Sequence, residues 1–143
     1  MKKLLIITTI LILIFSGCEK RFMKDSDLVN STWVLSYIQD TKSNVITNYP
    51  VDAARKISIV FNNSSDNISF SGICNAGSGK YSCDSQSGEL KVTDLGTTMI
   101  GCKYVEWETY TIQNLYSATS YKISGASLTI NSGGNYNLYF TRY

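Results

Sequence analysis

The chain has 143 residues, of which 43% are apolar and 17% are charged, with 13 basic and 11 acidic side chains. This length and apolar content fit one domain with its own core, and the near-neutral charge gives no electrostatic reason to expect a nucleic-acid partner. Histidine is absent, which excludes Ser-His-Asp and Cys-His nucleophile pairs as well as His-liganded zinc.

Residues 1–17 have the pattern of a bacterial lipoprotein signal peptide. Lys2 and Lys3 precede an apolar run that starts at Leu4, and this run is too short for a typical membrane span. We therefore expect residues 1–17 to be an export signal, and the alternative is an uncleaved membrane anchor.

The signal ends in Phe-Ser-Gly-Cys, residues 15–18, which resembles a lipobox although Leu is more usual at the position of Phe15. The resemblance implies that Cys18 is acylated and becomes the first mature residue. Residues 18–27 are mostly polar and lack apolar periodicity, so they are predicted to be a tether. We therefore expect a protein of the bacterial cell envelope, held by its N-terminal lipid at the outer membrane or on the periplasmic face.

The folded domain is predicted to span residues 28–143 and to begin with β-strands. Five segments show alternating apolar residues or many β-branched and aromatic side chains, as half-buried strands do: 32–38, 56–61, 67–73, 79–83 and 89–93. Residues 39–54 are predicted to be a long surface loop, and residues 62–66 a five-residue hairpin connection.

One helix and three further strands are predicted for the rest of the chain. The helix is expected over Lys103–Ser117, with Glu106 and Glu108 in its first turn, where carboxylates favour the helix dipole. Its apolar positions recur at helical spacing: Val105, Ile112, Leu115 and Tyr116. The last strands are expected at 120–124, 127–131 and 135–142. This order predicts a mainly β fold, a small antiparallel β-barrel or sandwich with a single α-helix packed on it.

Three cysteines remain after Cys18 is assigned to the lipid, and two of them are expected to oxidise in an exported protein. We favour a Cys74–Cys102 disulfide, which closes a loop of about 29 residues and stabilises the fold by roughly 3.6 kcal/mol in the chain-entropy model. Cys83 is then free. It is also the alternative partner of Cys74, because the two could face each other across a turn at residues 77–79. Three scattered thiols without histidine do not predict a metal site.

Residues 72–80, Gly-Ile-Cys-Asn-Ala-Gly-Ser-Gly-Lys, superficially have the glycines of a phosphate loop. A nucleotide loop needs Ser or Thr after the lysine and then a helix, whereas Tyr81 follows here and leads into a strand. We therefore predict a glycine turn between strands and no cofactor.

Several of these segments together resemble the META domain, a family that includes HslJ-like bacterial envelope proteins. The resemblance covers about residues 28–140. Its motif positions are matched by Leu28, Trp33, Cys74, Asn75, Gly79, Tyr81, Thr98 and Cys102, whereas Ile73, Ile100 and Gly101 depart from the family pattern and Cys83 has no counterpart in it. The resemblance implies a small antiparallel β-fold with one helix and links to stress responses, antibiotic tolerance or motility. It implies no catalytic residues.

The function we expect is therefore binding or scaffolding rather than catalysis, with residues 39–54 contacting an unidentified envelope protein. The alternative is a lipocalin-like binder of a small apolar ligand, with Trp33 at the floor of a barrel cavity. A carboxylate-pair hydrolase is disfavoured, because Glu106 and Glu108 are two residues apart on a helix and point in different directions.

Overall fold

A computed structural model describes residues 24–143, so the predicted signal peptide and Cys18 lie outside the described residues. In this range the chain forms nine strands and one helix. Their bounds are β1 Thr32–Asp40, β2 Ile46–Asn48, β3 Ser58–Phe61, β4 Asn67–Ser71, β5 Ala76–Asp84, β6 Glu89–Thr97, α1 Val105–Tyr116, β7 Ala118–Ser124, β8 Ser127–Ser132 and β9 Tyr136–Arg142.

The strands form one antiparallel sheet that closes on itself. Strand β1 pairs with β3, the order then follows the chain to β9, and β9 pairs back onto β1, which makes an eight-stranded barrel. Strand β2 pairs with the second half of β1, on the edge that β3 occupies in the first half. The predicted fold class, mainly β in a small antiparallel barrel with one helix, is confirmed.

The barrel has a seam between β6 and β7, where Glu89 and Ser120 are the one register pair. Helix α1 packs against β6, β8 and β9 beside this seam. The Tyr116 hydroxyl donates to the Leu95 carbonyl of β6 at 2.6 Å, and Asn114 Oδ1 accepts from the Tyr136 amide at 2.9 Å. The helix therefore links the two sides of the barrel where the strands do not.

Side chains fill the inside of the barrel. Alternate residues of each strand point inward, as the period of a strand requires, so Leu128, Ile130, Leu138 and Phe140 are all buried on β8 and β9. The largest fully buried side chains are Trp33, Phe61, Phe140, Leu28, Leu35, Ile57, Ile59, Ile68, Leu90, Leu115, Leu128 and Ile130. Burial of each contributes about 1.5–3 kcal/mol relative to exposure.

The antiparallel order gives the barrel two distinct ends. The N-terminal end carries residues 24–31, the turns at 62–66, 85–88 and 125–126, and the C-terminus. The disulfide end carries the turn at 41–45, the corner at 72–75, the loop at 98–104 and the turn at 133–135.

Two predicted connections are wrong. Residues 39–54 are not one loop, because they contain the end of β1 and all of β2, whose residues are exposed and therefore lack an apolar signal. The predicted turn at 77–79 lies inside β5, and a Cβ at Gly79 would come within 2.7 Å of the Thr93 carbonyl oxygen. The glycine therefore permits close approach of β5 and β6 rather than a turn.

The helix was predicted with the wrong start and partly the wrong buried face. It begins at Val105, after Tyr104 in a left-handed conformation with φ of 68°. Of the four residues predicted to form its apolar face, Leu115 is buried, whereas Tyr116 is exposed. The residues that face the barrel are Trp107, Glu108, Thr111, Asn114 and Leu115.

Candidate functional site

Asn75 joins the corner at 72–75 to the loop at 98–104. Its side-chain oxygen accepts from the Ile100 amide at 2.7 Å and from the Thr98 hydroxyl at 2.9 Å. Its side-chain nitrogen donates to the Ile100 carbonyl at 2.9 Å and to Glu108 Oε2 at 2.6 Å. These four bonds use both donors and both acceptor positions of the amide, so an Asn side chain fits this position and an acidic one does not.

Glu108 is a carboxylate inside the disulfide end, with only 2% of its surface exposed. Its Oε1 accepts from the backbone amides of Cys74 at 2.7 Å and Asn75 at 3.1 Å. Charge-assisted bonds of this kind compensate the loss of hydration. A Cβ at Gly72 would overlap Glu108 Oε1, so a glycine is required beside the buried carboxylate.

A disulfide between Cys74 and Cys102 joins the same two segments covalently, with Cα atoms 6.4 Å apart. Cys83 is buried near the far end of β5, so it cannot reach Cys74 from this fold and is free. Burial raises the pKa of the Cys83 thiol, which disfavours the reactive thiolate.

The loop that these bonds hold exposes apolar side chains. Met99 is 96% exposed and Ile100 is 57% exposed. Beside them lies a cleft of about 300 Å³ between this loop and α1, with Val105, Thr109 and Ile112 on the helix side. Large exposed apolar side chains on a rigid loop are a feature of contact surfaces.

The segment 49–56 is fastened to the start of α1. Asp52 accepts from Lys103 Nζ at 2.7 Å and from the Tyr104 hydroxyl at 2.7 Å, and these two donors hold the pKa of the Asp52 carboxyl below its usual value. The Tyr49 ring packs edge-on against Trp107, 5.3 Å between centroids, and burial raises the pKa of Tyr49 to about 12.

Among the residues singled out by the family resemblance, Asn75 and Thr98 meet at the disulfide end. Trp33 and Tyr81 lie toward the N-terminal end instead. Trp33 is fully buried, donates from Nε1 to the Leu28 carbonyl at 3.0 Å and lies under the Arg142 guanidinium. Tyr81 packs edge-on against Phe61. These aromatic side chains are core residues of the N-terminal end, and Gly79 is a packing position in β5.

The last residues of the predicted tether contact the barrel. Asp25 accepts from the Tyr121 hydroxyl at 3.1 Å, Arg142 donates to the Asp27 carbonyl at 2.8 Å, and Lys24 forms an ion pair with Asp66. The chain therefore enters the barrel at a fixed place on the N-terminal end.

Sequence reasoning missed Glu108 and Gly72 as partners at the disulfide end. Glu108, Thr111 and Leu115 stand at i, i+3 and i+7 and share one face of α1, which is the signal that could have identified a buried carboxylate. Nothing in the sequence places Glu108 against Cys74, because their contact depends on how the helix packs.

Two larger clefts lie on the outside of the barrel. One of about 720 Å³ at the N-terminal end is lined mainly by polar residues, including Asp25, Asp27 and Arg142. The other, of about 590 Å³, lies under the segment 49–56 and includes Val34, Pro50 and Val51. No helix in residues 24–143 is long and apolar enough to cross a membrane.

Comparison with known proteins gives a family and a fold. A model of the META domain matches residues 26–143. An NMR structure of a protein from Burkholderia xenovorans has a TM-score of 0.66 at 21% identity, covering 81% of this chain and 83% of that one. A DUF4847 family protein from Bacteroides vulgatus has a TM-score of 0.62 at 12% identity, covering 80% and 93%. These likenesses show the fold. No curated protein gives a significant match.

Proposed function

Because the chain belongs to the META domain family, we propose that it is a lipid-anchored protein of the bacterial cell envelope with a binding or scaffolding role, linked to envelope stress or antibiotic tolerance. The observation that carries this proposal is the distribution of exposed apolar side chains. Four of them lie on or directly beside the segments of the disulfide end: Val45, Ile46, Met99 and Ile100.

A lipid at Cys18 would give the two ends of the barrel different roles. The described chain starts at Lys24 on the N-terminal end. Lys24 is six positions after Cys18, a length of chain that spans at most about 20 Å. Acylation of Cys18 would therefore hold the N-terminal end close to the bilayer and turn the disulfide end away from it. A partner protein could then reach Met99 and the segments within 39–54.

Catalysis is not part of the proposal. The buried carboxylate of Glu108 accepts three hydrogen bonds, which makes it a structural group rather than a general acid or base. The sequence has no histidine to serve instead.

Site-specific photo-cross-linking in intact cells tests the contact surface. A photoreactive residue at Met99 or Val45 should give a cross-linked product with another envelope protein, whereas one at Ser64, exposed on the N-terminal end, should not. Equal products from Ser64 and Met99, or none from Met99 and Val45, would count against the surface.

The anchor needs a separate experiment. Cys18→Ala should shift the protein from the membrane fraction to the soluble fraction and remove the acyl mass from the N-terminal peptide. Unchanged membrane association would refute lipidation at Cys18 and leave the cross-linking result standing.

Binding of a small apolar ligand is a second candidate function. Because side chains fill the interior, the ligand would lie in the groove of about 590 Å³ on the outside of the barrel. Its apolar lining includes Val34, Leu35, Pro50 and Val51. A hydrophobic fluorescent probe should bind to the wild type and lose affinity on Val51→Asp. If Val51→Asp leaves probe binding unchanged, this candidate fails.

A further inference from the structure

Two sulfur atoms and a carboxylate meet at the disulfide end. The Sγ atoms of Cys74 and Cys102 and a carboxylate oxygen of Glu108 all lie within 4.8 Å of one another. Both cysteines are partly exposed, whereas Glu108 is buried behind them. A disulfide is a poor metal ligand, but the two thiolates formed on its reduction are strong ligands of zinc.

We infer that reduction of the Cys74–Cys102 disulfide turns this cluster into a zinc site with Cys74 and Cys102 thiolates and the Glu108 carboxylate as ligands. Two thiolates, a carboxylate and one water make the four-coordinate set that Zn²⁺ accepts. The donor that replaces the missing histidine is Glu108, which only the packing of α1 brings to the sulfurs.

Charge supports this assignment. The reduced cluster would carry two thiolates beside a buried carboxylate, and like charges so close together require either protons or a cation to neutralise them. A divalent cation neutralises two of the three negative charges and adds coordinate bonds.

The carboxylate is already oriented for such a role. The Cys74 and Asn75 amides hold Glu108 Oε1 at 2.7 and 3.1 Å, and Asn75 Nδ2 holds Oε2 at 2.6 Å. Within the described residues these are the bonds that Glu108 accepts, so Oε2 keeps a lone pair for a metal. Outer-shell bonds of this kind fix a ligand before the metal arrives.

The chemistry balances with a dithiol reductant. The reductant becomes a disulfide and supplies two electrons and two protons, so the Cys74–Cys102 bond breaks into two thiols. Zn²⁺ then replaces the two thiol protons, which are released to solvent. A newly exported chain, whose cysteines are not yet oxidised, reaches the same dithiol state without a reductant.

Zinc and cadmium titrations of the folded domain, residues 24–143 carrying Cys83→Ser, test the inference. The reduced protein should bind one Zn²⁺ in competition with a chromophoric chelator, and Cd²⁺ should give the ultraviolet charge-transfer band of thiolate ligands. The oxidised protein should bind at least about 100-fold more weakly. Equal binding by the two forms, or no binding by the reduced form, overturns the proposal.

Two matched pairs of variants assign the ligands. Glu108→Gln should weaken binding by the reduced protein about tenfold or more, whereas Glu106→Gln, exposed on the same helix turn, should leave it unchanged. Cys102→Ser lacks the same covalent bond as the reduced protein and also one of the two thiolates, so it should lose tight binding. If the reduced protein unfolds, Zn²⁺ should restore its near-ultraviolet circular dichroism, and failure to do so also overturns the proposal. Equal binding by the Glu106 and Glu108 variants removes the carboxylate from the site.

Discussion

At the N-terminal end of the barrel, Trp33 and Tyr81 lie among apolar side chains, and the Arg142 guanidinium covers the indole ring. At the disulfide end, Asn75 and Glu108 make a hydrogen-bonded network beside a disulfide. The loop at the disulfide end therefore keeps Met99 and Ile100 exposed while its backbone is held by polar and covalent bonds. Polar and covalent bonds can hold a loop whose apolar side chains are left free for contacts, which hydrophobic burial alone cannot do.

The largest expected effect is a loss of stability at the N-terminal end. Trp33→Ala removes a fully buried ring and should lower the free energy of unfolding by about 4 kcal/mol, measured by urea denaturation. Trp33→Phe keeps an aromatic ring and loses mainly the bond to the Leu28 carbonyl, so its cost should be clearly smaller. If both variants cost the same, the bond rather than the ring volume holds this end.

The second prediction concerns the covalent bond at the disulfide end. The double variant Cys74→Ser, Cys102→Ser opens a loop whose ends are 28 positions apart in the sequence and should lower the free energy of unfolding by about 3.6 kcal/mol. The control is Cys83→Ser under non-reducing conditions. This variant keeps the Cys74–Cys102 disulfide and should leave the NMR chemical shifts of residues 72–75 and 98–104 unchanged. A double variant as stable as the wild type would mean that hydrogen bonds alone hold the corner to the loop.

The third prediction tests the buried carboxylate without removing a polar group. Gly72→Ala puts a methyl group into Glu108 Oε1 and should cost about 2 kcal/mol, as overpacking does. Gly96→Ala is the matched control, because a Cβ at Gly96 meets nothing within 4 Å. Equal unfolding midpoints for the two variants would contradict the close packing of Gly72 against Glu108.

The smallest expected effect concerns the ion pair at the surface of the disulfide end. Asp52→Asn should leave global stability nearly unchanged, because exposed ion pairs contribute little, but it should increase amide hydrogen exchange in residues 49–56. Lys103→Gln should have a smaller effect, because the Tyr104 hydroxyl still donates to Asp52. The double variant should match Asp52→Asn, since that change already removes the ion pair; a larger effect of the double variant would contradict this.

The pH dependence of this ion pair has a definite sign. The pKa of Asp52 lies below its ordinary value of 3.8, mainly because Lys103 and Tyr104 donate to it. Its contribution is complete above the ordinary value and is lost as the pH falls through the lowered pKa. The NMR line shapes of residues 49–56 should therefore differ between wild type and Asp52→Asn at neutral pH. They should become alike once the pH is below the lowered pKa of Asp52.

The sequence predicted the strands in which buried apolar residues alternate with other residues. Leu128, Ile130, Leu138 and Phe140 alternate because each points into the core, and this pattern located β8 and β9. Strand β2 carries no such pattern, because Ile46, Thr47 and Asn48 are all exposed. A three-residue strand whose side chains are all exposed leaves no alternation to read.

The disulfide end was only partly predictable for a different reason. Asn75 and Thr98 were found through a family resemblance and Cys102 through the expected oxidation of an exported protein, whereas Glu108 was interpreted as a first-turn carboxylate that favours the helix dipole. Its partners lie 33 and 34 positions away in the sequence. Local pattern cannot supply such a contact, because it is set by the angle at which α1 crosses the barrel.

The start of β1 lies close to the end of β9, and this has a practical consequence for labelling. The Tyr143 amide donates to the Thr32 carbonyl at 2.9 Å, so the start of β1 and Tyr143 lie at the same rim of the barrel. A fluorescent protein or affinity tag fused after Tyr143 would project from that rim and leave Met99 and Ile100 uncovered, whereas an insertion at 41–45 would obstruct them. A fusion for imaging or partner capture therefore belongs after Tyr143, on a linker long enough to clear the bilayer to which Cys18 is proposed to be anchored.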